Sequence, residues 1–437
     1  MESLLFDWTK DTLLYPVLHK IKANQIFVAL KHRNFRLFWT GQWISLIGTW
    51  MQNVAQSWLV LELTKSAFWL GMVNAVQFLP ILFFSLYAGI IIDHFPKKRI
   101  LILTQTMMMF LAVILAVDTY LHTVVLWHVL IIGGFLGLSN TLDMPARQAF
   151  LVELVDSGDL RNAIILNSAI FNAARVIGPS IAGIVIAQVG IGSCFLLNAI
   201  SFVPVIIGIL MIKLPNLSSN SKDLMKEREP RPEELQNPGV MAEIKDGLRF
   251  VAKTPVILAA VILMAILNIF TFNFNVLIPL YAKNVFHGDA QLFGFLMTAI
   301  GAGALLGTLF LAANSKKAPR AGMVSIAAVA ICIFELLVTP IKNYLIAYLI
   351  LFMVGISVIT YSTTSNTLIQ TQTPNYIRGR VMSIYTLVFA GLSPFGSLFS
   401  GWVANLWGAP FALGLGAAIG LGAVILLIVR FPKVFSP

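Results

Sequence analysis

The sequence predicts an all-α polytopic membrane protein, with twelve transmembrane helices arranged as two six-helix repeats. Three observations carry that prediction. The 437 residues are 58% apolar and only 11% charged, a balance expected of a membrane protein and not of several soluble domains. Apolar segments of roughly 20 residues, the length that crosses a bilayer, recur at 37–60, 67–92, 100–118, 124–142, 163–187, 193–212, 255–282, 290–313, 321–339, 343–366, 381–405 and 409–430. A polar stretch, LPNLSSNSKDLMKEREPRPEELQNPGV, separates six of these from the other six.

Runs this continuous and non-alternating are helices, because only helices and closed barrels satisfy their backbone in lipid. Residues 1–36 mix acids, bases and aromatics without a continuous apolar core or a small-residue cleavage site, so they read as an interface-lying lead-in and not as a cleaved signal. Residues 37–212 form the first bundle. Residues 213–254 are a linker in which EIKDGLRFV has the period of a short amphipathic helix. Residues 255–430 form the second bundle, and 431–437 a tail. The halves echo one another at an offset of about 217 residues: Asp118 corresponds to Glu335, and Leu160-Arg161 to Ile377-Arg378. Such repeats mark transporters and place a substrate site near mid-membrane between the halves.

Charge sets the orientation. With a cytoplasmic N-terminus, 26 of the 30 lysines and arginines fall in inside segments, and only Lys65, Lys283 and Lys342 fall outside. The positive-inside rule then puts both termini in the cytoplasm. It also accounts for the +11 net charge through topology and contact with anionic lipids, with no nucleic-acid partner needed. Cys194 and Cys332 lie within spans, so neither a disulfide nor a metal site is implied. The six histidines show no HExxH or comparable pairing, no cofactor motif occurs, and an enzyme is not expected. A channel is disfavoured by the paired repeats and the lack of a filter-like segment.

Polar residues form stripes on particular spans. Ser45, Thr49, Gln52 and Gln56 follow one face of the first span, with Asn53 alongside, and the second carries Asn74, Gln77 and Ser85. Asn268, Thr271 and Asn275 line the seventh, and Ser357, Tyr361 and Thr364 the tenth. Buried polar groups need partners or water, so ordered stripes suggest a wet central cavity, the alternative being interhelical hydrogen bonds that hold the bundle. The fifth span contains FNAARVIGPSIAG, with Arg175 roughly 18 Å into the membrane on a stripe with Ser168, Phe171 and Asn172. Arg175 either braces the bundle or gives the cavity a positive pole. Pro179 removes a helical hydrogen bond, while Gly178 and Gly183 allow close backbone approach, which makes a bent, tight seam.

The loop GIIIDHFPKKRI, with Gly89, Asp93, Lys97, Lys98 and Arg99, suits a turn that docks a cytoplasmic helix end. At this point the chain resembles the major facilitator superfamily, although His94 and Pro96 replace an arginine and a glycine of its signature. GPSIAG resembles the fifth-helix Gly-Pro signature of the superfamily's antiporters, with Ala182 where a glycine is usual. LDMPARQAFLVELV, LRNAIILNSAIFNAARVIGP, NFRLFWTGQ and LTKSA are similar to the branch that includes the enterobactin exporter and the macrolide efflux pumps. That resemblance implies a monomeric exporter of amphipathic small molecules in the inner (cytoplasmic) membrane, working by alternating access with protons as the coupling ion. It implies gating by Asp93, Lys97, Lys98, Arg99, Gly178, Pro179 and Gly183, and by Asp143 and Arg147, whose i, i+4 spacing suits an ion pair even though Pro145 intervenes. The fourth span lacks the embedded arginine of many drug antiporters, so Glu62, Asp118 and Glu335, near the outer side, are the acids available for proton coupling. A lipid or lysophospholipid translocase on the same fold is the alternative function.

Overall fold

The structure, a computed structural model, describes residues 27–156, 158–214, 240–313, 321–374 and 377–431. The expected lead-in up to residue 26, most of the linker, the tail after residue 431 and the bases Lys316, Lys317 and Arg320 lie outside the described residues. Among the described residues every regular element is a helix: α1 Arg33–Thr64, α2 Ala67–His94, α3 Lys97–Tyr120, α4 Leu126–Val152, α5 Leu160–Val189, α6 Ile191–Met211, α7 Val240–Lys253, α8 Pro255–Phe270, α9 Phe274–Leu280, α10 Ala290–Ala313, α11 Ala321–Val338, α12 Tyr344–Gln372, α13 Arg378–Gly391, α14 Ser393–Trp407 and α15 Ala409–Arg430. A π turn, Tyr281–Val285, continues α9.

Ten helical segments are long and apolar enough to cross a membrane. Gly322–Val338 is apolar but shorter. Helix α1 has the length, but Gln42, Ser45, Gln52, Gln56 and Ser57, turned into the protein, make it less apolar than those ten. α7 falls in the segment read as the linker, and its Asp246 pairs with Arg380 of α13 at 3.4 Å.

Two spans expected to be continuous are broken. The seventh stops at Phe270 and resumes at Phe274. Thr271 Oγ1 donates to the Leu267 carbonyl and Asn273 Nδ2 to the Ile269 carbonyl, so local side chains take up the helix-end acceptors. The eleventh is interrupted at Leu392, where Pro394 begins the next helix at a position that proline favours. Asn268 fastens the two breaks together by donating to the Phe389 carbonyl at 2.6 Å.

The same neighbours recur in both halves. α1 packs on α6 as α8 does on α15, α2 on α4 as α10 on α12, and α3 on α6 as α11 on α15. Across the halves, α2 packs on α14 and α5 on α10, which are equivalent pairs under the repeat. Small residues permit the close crossings: a Cβ at Gly48 would stand 2.3 Å from Ser201 Oγ, and one at Gly41 2.6 Å from the Val205 Cα.

Candidate functional site

Where α9 of the second half meets α1 and α2 of the first lies a small pocket of about 30 Å³, lined by Asn53, Gln56 and Ser57 of α1, Asn74, Gln77 and Phe78 of α2, and Asn275 of α9. Gln56 Nε2 donates to Gln77 Oε1 at 3.1 Å, joining α1 to α2. Asn74 Nδ2 donates to the Leu70 carbonyl of its own helix. Five side chains expected at a cavity, Asn53, Gln56, Asn74, Gln77 and Asn275, are thus brought together.

Others sit elsewhere. Gln52 is buried and accepts a 2.6 Å hydrogen bond from Asn198 of α6, which bonds Ser201 in turn, so it joins two helices of one half. The break in the seventh span takes Asn268 off the face that carries Asn275 and engages it with α13. Tyr361 is fully buried with its ring edge-on to Phe272. Asn172 donates to the Ser168 carbonyl on α5.

Arg175 has an aromatic partner: its guanidinium lies over the Trp50 ring, 5.8 Å from the centroid, and Trp50 meets Phe171 edge-on. Among the described residues no carboxylate pairs with it. Trp39, Trp43, Ile47 and Trp50 form a continuous apolar stripe on α1 against α5. That stripe is readable in the sequence at helical spacing and was the missed signal for the arginine's partner.

Call the end of the bundle that holds Arg33, Lys97, Arg161, Lys213 and Arg430 the basic end, and the opposite one the far end. At the far end the halves are pressed together. A Cβ at Gly294 would stand 2.4 Å from the Pro179 carbonyl oxygen, one at Gly183 2.9 Å from the Gln291 Cα, and one at Gly71 2.3 Å from the Ser397 carbonyl oxygen. Gly178 instead meets α1, within 2.4 Å of Trp50 Cβ. Trp58 of α1 stacks on Phe293 of α10, takes the Lys283 amine over its face at 5.5 Å, and donates its indole N–H to Glu62 at 2.6 Å. Ser66 Oγ donates to Asn405 Oδ1 of α14. Toward the basic end, Ile164, Ser168 and Phe171 of α5 are exposed on the face that carries Arg175. That face is about 130° around the helix from exposed Ile181 and Ile184 nearer the far end. Two exposed faces on one helix mean that one looks into lipid and the other into an opening between the halves.

At the basic end Lys97 pairs with Glu153, the residue that follows α4, at 3.2 Å, and Lys98 donates to the Leu210 and Ile212 carbonyls, capping α6. Arg99 is exposed. Asp93 is the penultimate residue of α2, and its side chain lies outside the described residues. Asp143 is fully buried; it pairs with Arg147 and accepts from Thr104 Oγ1 and Gln105 Nε2 of α3, both at 2.8 Å. Pro145 does not interrupt α4.

The three outer acids differ. Glu62 is exposed beside Trp58. Asp118 accepts from Thr123 at 2.6 Å and lies 2.7 Å from His128 Nδ1. Glu335 is fully buried, and neither carboxylate oxygen has a hydrogen-bond partner among the described residues.

Two equivalent helix bundles, clasped at one end and parted at the other around a polar cleft, define a membrane transporter of the major facilitator type. The chain matches the MFS_3 family of transmembrane secretion effectors over residues 25–436 and belongs to it. It is 29% identical to a staphyloferrin A transporter of Staphylococcus aureus (strain NCTC 8325 / PS 47) across 85% of this chain and 90% of that one. It is 25% identical to the multidrug efflux pump Tap of Mycolicibacterium fortuitum across 89% and 92%, and 22% identical to macrolide efflux protein A of Streptococcus pyogenes across 86% and 91%. Its fold is similar to that of a POT family transporter crystallised with a thioalcohol-conjugated peptide, with a TM-score of 0.71 at 11% identity over 92% and 97% of the two chains. The chain is therefore a multi-pass membrane transporter of the efflux and secretion type, and not an enzyme.

Proposed function

We propose that the protein exports amphipathic small molecules, of drug, macrolide or siderophore kind, by alternating access, with protons moving in the opposite direction. The observation that carries this reading is the amide-lined cleft between halves closed at the far end and parted at the basic end. The basic end faces the cytoplasm, as positive-inside loops require, so cargo enters the cleft from the cytoplasm or the inner leaflet. The protein works as a monomer in the cytoplasmic membrane. Arg175, held by an aromatic face and adjoining the exposed stripe of α5, supplies a positive pole that suits anionic or zwitterionic cargo. Asp93 and its neighbouring bases govern closure of the basic end. Glu62, Asp118 and Glu335 are the acids placed to take protons from the far side.

Cells lacking the gene should accumulate and be sensitised to such compounds, and purified protein in proteoliposomes should move them only when a proton gradient is imposed. Unaltered sensitivity to every class, together with a changed phospholipid composition, would favour the lysophospholipid reading. That reading draws on exposed Ile164, Ile165 and Phe171 beside a single cation, a pairing that also fits an acyl chain and its phosphate.

A further inference from the structure

The pocket where α9 meets α1 and α2 is too small to take cargo itself. Its volume of about 30 Å³ is close to the share of one water molecule in the liquid. Its polar wall consists of Asn53, Gln56 and Ser57 of α1, Asn74 and Gln77 of α2, and Asn275 of α9, all of them neutral. Two of these amides have spent their nitrogens and have oxygens left to satisfy. Gln56 donates to Gln77 Oε1 at 3.1 Å, while its own Oε1 is buried with no hydrogen-bond partner among the described residues in a side chain only 4% exposed. Asn74 donates to the Leu70 carbonyl at 3.0 Å, which leaves its Oδ1. Asn53, Ser57 and Asn275 make no side-chain hydrogen bond among the described residues, so each can turn an oxygen inward. A buried acceptor with neither donor nor cation is costly. The break in the seventh span, from Phe270 to Phe274, brings Asn275 to this place, and broken helices at the interface between transporter halves are suited to holding small ions.

We propose that this pocket binds a single sodium ion, held by amide and hydroxyl oxygens from both halves. Neutral oxygens with no carboxylate among them suit a monovalent cation. Calcium and magnesium are held by carboxylates, and magnesium keeps several waters, for which the space is lacking; an anion would meet lone pairs. The small volume favours a dehydrated ion over a hydrated or organic one. Arg175 is not a competing charge at this point: its guanidinium lies over Trp50 on the α5 side of α1, whereas the pocket lies on the α2 side, where Gln56 meets Gln77. Five of the six polar residues belong to the first half and Asn275 to the second, so the site is complete only while α9 rests against α1 and α2. Sodium therefore binds the arrangement closed at the far end and stabilises it by its binding free energy. Opening that end withdraws Asn275 and frees the ion. The site goes beyond the proton-antiport reading and needs neither cargo nor a proton gradient, so it can be tested apart from transport.

The test uses the full chain in lipid nanodiscs without cargo, with sodium, potassium or choline chloride at one ionic strength. The melting temperature should rise with the logarithm of sodium concentration once that exceeds the dissociation constant, less with potassium and not with choline. Asn275→Ala, which removes the ligand from the second half, should weaken sodium about tenfold or more. Gln56→Glu, which puts a carboxylate at the orphan oxygen, should tighten it by a similar factor. Broadening of the sodium NMR line by the parent protein, relieved in Asn275→Ala, reads the same binding without heating. Equal melting temperatures in the three salts, the result expected if the pocket holds only an ordered water, would overturn the site. So would a sodium response unchanged in Asn275→Ala. Failure of efflux in cells with the sodium response intact would instead count against the transport reading alone.

Discussion

A single carboxylate, Asp143, holds α4 to α3 through Thr104 and Gln105 and neutralises Arg147 one turn away. With its side chain fully buried, removal of the acid strands the arginine and two donors. Asp143→Ala should lower stability by about 3–5 kcal/mol, read as a fall in melting temperature of the detergent-solubilised protein, and Asp143→Leu with Arg147→Met should recover much of it. Arg175 is the opposite kind of charge, with an aromatic ring and, among the described residues, no acid as its partner. Arg175→Gln should leave the protein folded and weaken anionic cargo about tenfold or more, the effect of roughly 1.4 kcal/mol, while neutral cargo is retained. Equal retention of both in a binding assay would make Trp50 and Arg175 a brace. In the sequence the arginine was legible by its depth, and Asp143 with Arg147 by their spacing. That Trp50 and not an amide faces the guanidinium depends on how α1 is rotated against α5, which no spacing within one helix reveals.

At the level of helices, glycine decides how near the halves come. Gly71 and Gly294 each admit a backbone carbonyl of the other half, Ser397 and Pro179 respectively, where even a methyl group would collide. Gly71→Val and Gly294→Val should therefore preserve each half but destabilise far-end closure, so that transport falls while expression and helix content measured by circular dichroism stay near those of the parent. Substitution at Gly422, where a Cβ meets nothing within 4 Å, is the control and should be silent. The paired breaks in the seventh and eleventh spans respond differently. Asn268→Leu removes the donor that satisfies the Phe389 carbonyl and should cost about 1–3 kcal/mol, visible as an earlier thermal transition. The break at Leu392 has a proline beside it and was readable. The break at Thr271 arises from hydroxyl and amide side chains turning back onto their own helix, a competition that sequence pattern leaves open because the same residues also suit a continuous polar stripe.

On the scale of the whole molecule, the arrangement predicts sidedness. Ser168→Cys lies on the exposed basic-end face of α5, and Leu121→Cys lies in a far-end loop. In intact cells a membrane-impermeant thiol reagent should label Leu121→Cys and spare Ser168→Cys, and in inverted vesicles the pattern should reverse. Labelling of Ser168→Cys from outside would refute either the orientation drawn from the basic loops or the opening between the halves. The internal repeat makes the same demand of both contacts across the halves, α2 with α14 and α5 with α10. A change that loosens one should loosen the other, because they are the two sides of one clasp.

What the sequence by itself determined is what depends on composition and period along one chain: helical spans, their division into halves, the basic end, and the amides that any membrane helix must turn away from lipid. These follow from the cost of exposing polar groups to hydrocarbon, which acts on each segment separately. Only the tertiary structure decided which polar residues share a cleft and which are spent on joining helices. Gln56 and Asn53 face Asn275 across the halves, whereas Gln52, one residue from Asn53, is taken by Asn198. On a helix, neighbours in sequence point about 100° apart, so their partners are set by the rotation and separation of whole helices. Those are fixed by glycine crossings and aromatic contacts between residues far apart in the chain.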